Sequence, residues 1–472
     1  MDKKNKWHII VSISLAAVLL TIAVVLPFDV QQVHKGSLFL LFATSLIYYS
    51  IVIINKKTLK KLGVLGWAYA WWLVKILFIF VYFYVLWNIP DAPDFLDEFG
   101  GSGDADQFHR MFVDTSRVIA NYLQYGYLDD LPLAAVRRPG YAIYGGLIYK
   151  YFGTHPVNIL IINSVVHAGV VYYGVMISSI LFNDEKHYAK WLALVLMAWP
   201  MMWHGSVTLL RQNITCFALF GMLYHVLRAI KGNTSGILWS VLYALFFVSL
   251  RVQHVILVAL LLLVVVWKYG TTKYAFRSMV FASLCVVFIF AFIENMVGFE
   301  YLNQLIARQI KNMGRERAGY EGVIYSFIGV NTSSIYSFKN IALLPFFYTL
   351  KFVASLLFPF PWIREGSFSY IINRPLYILE SFFRIKLLVG IVKYLLLTKK
   401  IRKEYYLFFL LLMFFLSSPK AVVRYTIPAY GMLMIISSRL RLSTVLSKSN
   451  IVWVVVIVLS SHLLYFTMKV VK

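Results

Sequence analysis

Apolar segments, most of them long enough to cross a hydrocarbon core, recur along almost the whole of this chain, and that recurrence constrains its fold more than any motif does. They fall at 7–26, 37–54, 65–89, 156–182, 191–204, 214–230, 236–268, 275–296, 341–358, 376–397, 405–418, 422–438 and 451–468. The predicted class is all-α: a polytopic transmembrane helical bundle of about 11 to 13 spans with external juxtamembrane helices. No internal repeat or soluble domain interrupts it, so residues 1–472 read as one membrane-embedded unit.

Charge fits the same class. The 472 residues are 60% hydrophobic and only 14% charged, yet the net charge is +25. In a soluble chain that excess would point to nucleic acid, but here Lys and Arg cluster in short runs between apolar segments, as the positive-inside rule requires, and no nucleic-acid partner is expected. Cys216 and Cys285 both lie within apolar segments, which indicates neither a disulfide framework nor a thiolate metal site. The first span follows the basic MDKKNK, is longer than a signal-peptide core and lacks a small-residue cleavage site, so a retained helix is expected.

The KKTLKK run from Lys56 marks a cytoplasmic connection, and the span at 65–89 then leads outward. The TKKIRKEY and RLRLSTVLSK runs mark the inside near the other end, with SPKAVVRY facing out. Counting from both ends leaves a mismatch of one crossing. Either 341–358 dips without crossing, or 236–268, interrupted by Arg251, Gln253 and His254, spans once rather than as two short helices. The predicted setting is a bacterial inner membrane with the N-terminus cytoplasmic and membrane lipids as neighbours.

Between these spans lies a long polar interruption at 90–140, expected outside and expected to carry the chemistry; 297–340 forms a second long loop. Asp91, Asp94, Asp97, Glu98, Asp104, Asp106 and Asp114 gather seven of the chain's 20 carboxylates between residues 91 and 114 of this first loop. The spacing of Phe108, Met111, Phe112, Ile119, Tyr122 and Leu123 predicts one or two amphipathic helices on the membrane surface. The segment 141–152 is too short to cross and reads as interfacial or re-entrant.

Asp104 and Asp106 stand out within the loop. They follow GGSG, and His109 comes within one helical turn. Two carboxylates this close raise the pKa of at least one of them unless a cation or hydroxyl intervenes, which suits a general base. Asp91, Asp94, Asp97 and Glu98 read as solvated. Arg137 and Arg138, in RRPGY, offer planar forks matched to phosphate, or else anchor a helix end to anionic headgroups. Arg211 and Arg251 each interrupt apolar sequence at an external membrane edge, and Lys420 and Arg424 repeat the pattern near the C-terminus. Cations from distant segments are therefore expected to converge on one external cavity. His167, His204 and His254 lack HxxxH or HExxH spacing, so no metal site is assigned, and no nucleotide-type phosphate loop is present. The cofactor question stays open, with a divalent cation possible but not indicated.

The order of GDADQFHRMF, VIANYLQYG and RRPGYAIYGGLIYKYFG resembles the GT-C superfamily of integral-membrane glycosyltransferases, of the protein mannosyltransferase and aminoarabinose transferase type. The resemblance covers most of 65–270 and a C-terminal echo in KAVVRYTIPAY. It implies a catalytic base on the first external loop: Asp104 or Asp106 matches by motif, and Asp114 matches by its distance to Ala120 and Gly126. It also implies that Arg251 lies near a lipid-linked phosphate, and Tyr141, in the PGY element, is read with it as substrate-binding. In WPMMWHGSVTLLRQN, Gln212 stands where the family often carries an acid after Arg211.

The chain is accordingly expected to be an enzyme, a glycosyltransferase that moves a sugar, with inversion or retention, from a polyprenyl-phosphate-linked donor to a surface-glycan or lipid acceptor at the external face. A repeat-unit polymerase for O-antigen or capsule is the nearest rival. A lipid or glycolipid transporter is the third reading, and charges confined to one membrane edge argue against it.

Overall fold

The computed structural model describes residues 31–81, 104–126, 138–182, 186–206, 211–233 and 235–250, with isolated positions beyond these such as 209 and 385–387. No strand occurs among them. Three of the described helices contain segments long and apolar enough to cross a membrane: Gly36–Ile54, Pro156–Leu181 and Gln212–Ile230. The remaining predicted spans, at 7–26 and from 275 onward, lie outside the described residues but for such isolated positions, and the loop 297–340 lies outside them entirely.

Helix α1, Gln31–Ile54, buries Leu40, Leu41, Thr44, Tyr48 and Val52 on one face and exposes Phe39, Phe42, Leu46, Ile47 and Ile51 on the other. A helix apolar on its outward face as well has lipid as its solvent. The lysine run forms a separate short helix, α2, Lys56–Leu62, closed by Gly63 in the left-handed region at φ 71°. Val64 N–H bonds to Leu59 O at 3.0 Å and Gly63 N–H to Lys60 O at 3.1 Å, the paired bonds of a Schellman stop that turns the chain into α3, Leu65–Phe80. Ala68, Trp71, Trp72, Lys75, Ile76 and Ile79 make the buried face of α3 at helical spacing.

The amphipathic stretch of the acidic loop is one continuous helix, α4, Asp104–Tyr125. It packs along α5, Pro139–Phe152, whose Pro139 supplies the fixed φ favoured at a helix start. The contact depends on two glycines. A Cβ at Gly145 would collide with the Phe112 ring, and one at Gly146 would lie 2.8 Å from Thr115 Cγ2. With 14 residues α5 rises roughly 21 Å, short of a hydrocarbon core of about 30 Å, as expected of a non-crossing segment.

Helix α6, Pro156–Phe182, begins where Asn158 Nδ2 donates to Phe152 O and Gly153 O at 2.9 and 2.8 Å. The predicted span at 191–204 is interrupted. Helix α7, Lys186–Ala198, stops, and α8, Pro200–His204, restarts after Trp199. Pro200 has no N–H for the Leu196 carbonyl, which breaks the ladder there. Helix α9, Gln212–Ile230, is buried along nearly its whole length between α6 and α10, Ser235–Leu250. Gly232, at φ 92°, closes α9 with a second Schellman stop: its N–H bonds to Ala229 O, and Asn233 N–H bonds to Arg228 O. The core is thus centred on α9, with α4 and α5 lying beside it at the end where α9 starts.

Candidate functional site

Three segments far apart in sequence meet at the ring of Phe108, which sits on the first turns of α4 and is 2% exposed. The Arg138 guanidinium carbon lies 4.9 Å from the ring centroid and that of Arg211 lies 5.7 Å from it. Each contact is of cation–π type. Tyr141 presents its ring to Phe108 and Phe112 at centroid distances of 5.1 and 5.0 Å, and its hydroxyl donates to Leu209 O at 2.6 Å. Burial raises the Tyr141 pKa well above the ordinary tyrosine value, against the lowering pull of Arg211 and Arg138, so it is a neutral donor.

The two arginines are the cap residues of helices. Arg138 O accepts from Tyr141 and Ala142 N–H at the start of α5. Arg211 O accepts from Thr215 N–H and Thr215 Oγ1 at the start of α9. Arg211 Nη1 also donates to Leu250 O, at the far end of α10, at 3.2 Å. Two guanidinium groups and the positive ends of two helix dipoles are therefore gathered around one aromatic ring. The chemistry this arrangement favours is binding of an anion with several oxygen acceptors.

The expected site residues divide around this centre. Arg138, Tyr141 and Arg211 converge. Asp104 stands one helical turn before Phe108 in α4, in register with the buried stripe of Phe108, Met111 and Thr115. Asp106 falls on the opposite side of that helix by the same register, in line with exposed Arg110. Asp114 lies roughly 15 Å along the axis from Asp104 and makes a 3.9 Å ion pair with Arg117, both side chains substantially exposed. His109 Nδ1 is 2.8 Å from the Tyr149 hydroxyl and helps join α4 to α5. Arg137, Arg251, Lys420 and Arg424 lie outside the described residues. In sequence, Arg137 precedes Arg138, and Arg251 directly follows Leu250. Among the described residues no group of His, Cys, Asp and Glu is arranged to hold a metal.

One functional group is missed by sequence reasoning. Lys75, alone in the apolar run WWLVKILF, is fully buried, with Nζ 3.0 Å from His167 Nδ1. The expectation that charges keep to one membrane edge is therefore corrected: Lys75 lies inside the helix packing of α3, α6 and α8. The available signal was the lone Lys itself, since an ionisable residue within a span is a functional candidate by default. Its partner, His167, is remote in sequence and gave no spacing to read.

Comparison with protein-family models, with curated proteins and with solved structures gives no match to this chain. The structure defines the class: the described residues are all-helical, and three of their helices are long and apolar enough to cross a membrane. Its distinguishing feature is a two-arginine centre between the amphipathic helix α4 and the bundle.

Proposed function

We propose that this chain is a membrane glycosyltransferase of the GT-C type, a bundle of about 11 to 13 spans acting at the external face of a bacterial inner membrane. It transfers a sugar from a polyprenyl-phosphate-linked donor to a surface-glycan or lipid acceptor. The observation that carries this reading is the convergence of Arg138 and Arg211 on Phe108, one turn from Asp104.

The chemistry is set by those positions. Asp104 takes the proton of the acceptor hydroxyl, the acceptor oxygen bonds to the anomeric carbon, and the bond from that carbon to the phosphate oxygen breaks. Negative charge grows on the departing polyprenyl phosphate, where Arg138 and Arg211 stabilise it. Apolar walls of Phe108 and Tyr141 strengthen those interactions by excluding water. Asp104 is preferred over Asp106 and Asp114 because it shares the register of the buried stripe. Arg137, Arg251, Lys420 and Arg424 are candidates to extend the cationic site.

A repeat-unit polymerase is the second reading. It is favoured by the same arginine pair, since transfer between two polyprenyl carriers needs two phosphate contacts. The deciding experiment is analysis of surface glycans in a strain lacking the chain. Loss of one decorating sugar, restored by the wild type but not by Asp104→Asn, supports the transferase. Single repeat units without chains support the polymerase, and an unchanged glycan profile removes both.

A further inference from the structure

We propose that Lys75, paired with His167, is a positioning residue that clamps the break between α7 and α8 and thereby holds Arg211 in the two-arginine centre. Two carbonyls at the break, Leu196 O and Met197 O, take side-chain donors. His167 Nε2 lies 2.9 Å from Leu196 O. A carbonyl only accepts, so Nε2 carries the proton, and Nδ1 is left to accept from Lys75 Nζ at 3.0 Å. Met197 O accepts from the indoles of Trp71 and Trp203 at 2.9 and 2.7 Å. Irregular backbone at membrane depth is tolerated where protein groups satisfy it in this way.

Lys75 completes the arrangement. Besides His167, its Nζ donates to Met202 O at 3.4 Å and sits 4.0 Å from the centroid of the Trp203 ring. The N–H groups of the amine can donate to the imidazole nitrogen and to the carbonyl, with the Trp203 ring beside them. None of the three is a carboxylate. A buried amine held by a ring, an imidazole and a carbonyl is costly inside the bundle, and an apolar side chain of similar length would fill the same space without that cost. Its role is therefore sought in the geometry it fixes.

That geometry leads to Arg211 from both sides. Met202 precedes the connection that ends in Arg211, and Asn213, two residues after Arg211, returns to the same carbonyl. Asn213 Nδ2 lies 3.1 Å from Met202 O and 2.9 Å from Ser206 Oγ, and Ser206 Oγ in turn donates to Met202 O at 2.9 Å. The connection is thus tied at both ends to the oxygen that Lys75 holds.

The positioning role rests on the proposed phosphate site, whereas the clamp is independent of it, so the test reads them separately. Full-length protein in lipid nanodiscs is compared as wild type, Lys75→Met and Lys75→Gln by amide hydrogen exchange and by binding of polyprenyl phosphate. The expected result is exchange roughly tenfold faster over 201–206 in Lys75→Met, with α9 and α10 unchanged, weaker binding, and an intermediate effect in Lys75→Gln. Lack of binding by the wild type with faster local exchange keeps the clamp and removes the phosphate reading. Unchanged exchange at 201–206, equal acceleration in every helix, or local acceleration with unaltered binding each overturns the positioning role. Failure of both variants to fold overturns it too, because a positioning residue is dispensable for folding.

Discussion

Arg211 reaches from the N-terminal cap of α9 to the last residue of α10, its Nη1 donating to Leu250 O at 3.2 Å while its guanidinium faces Phe108 on α4. One side chain thereby links three helices at the end of the bundle where Arg138 also sits. The link sets the expectation for its removal. A charge-assisted hydrogen bond contributes about 1.5 to 3 kcal/mol, so Arg211→Ala should weaken polyprenyl-phosphate binding by one to two decades. Arg211→Lys should restore part of this, because an ammonium keeps the charge but loses the fork. Equal affinity in all three proteins would make Arg211 a helix tie only.

The three candidate bases separate by position. Asp104→Asn is expected to abolish transfer with normal membrane insertion, and Asp114→Asn to leave it intact. The Asp114–Arg117 pair is exposed at 3.9 Å, and pairs of that kind contribute roughly 0–1 kcal/mol, so stability should barely move. Full activity in Asp104→Asn, measured by surface-glycan composition, would transfer the role to Asp106 or Asp114.

Docking of α4 depends on Gly145. Gly145→Ala drives a methyl into the Phe112 ring, an overpacking cost of about 1–3 kcal/mol, and should expose α4 to protease while the bundle persists. Gly66→Ala is the control: nothing lies within 4 Å of its Cβ position, and the alanine favours the helix by roughly 0.5–1 kcal/mol. Identical cleavage of α4 in both variants would mean the glycine contact is not what seats that helix.

Tyr141→Phe leaves Leu209 O without its 2.6 Å donor, at a cost of roughly 1–3 kcal/mol. Burial raises the Tyr141 pKa in the folded state, so the contribution of this hydroxyl is fully present below the ordinary tyrosine pKa of about 10 and shrinks as pH climbs above it. Denaturation of wild type and Tyr141→Phe across that range should show a gap that is constant at neutral pH and narrows above pH 10. A gap that widens instead would contradict the neutral, buried donor.

Orientation is testable at described positions. With Cys216 and Cys285 replaced, a cysteine at exposed Gln107 on α4 should react with an impermeant thiol reagent from outside, and one at exposed Lys60 on α2 should not. The reverse pattern would turn the arginine centre toward the cytoplasm.

Much of the described fold was legible because lipid simplifies the pattern. The segments expected at 37–54, 156–182 and 214–230 match α1, α6 and α9 within a few residues, since a helix apolar all round needs no partner to reveal it. α4 was legible from the spacing of Phe108, Met111 and Phe112, whose stripe is buried. Arg138, Tyr141 and Arg211 were each visible as polar interruptions, but their convergence on Phe108 depends on long-range packing that no local spacing encodes. The same holds for Lys75 and His167, and for Trp71, whose indole meets the broken helix at Met197. Pro200 was visible, yet a proline marks only where a helix is disturbed, not which side chains take the released carbonyls.

The proposed activity turns on polyprenyl phosphate binding where Arg138 and Arg211 meet Phe108. That binding is probed without intermediaries by photo-crosslinking a diazirine-bearing polyprenyl phosphate to the reconstituted full chain and identifying the labelled peptides by mass spectrometry. Saturable labelling is expected on the peptides carrying Phe108 and Arg138 to Tyr141, competed by unlabelled polyprenyl phosphate and lost in the Arg138→Ala, Arg211→Ala double variant. Labelling confined to lipid-facing surfaces such as the exposed face of α1, or unchanged in the double variant, would refute it.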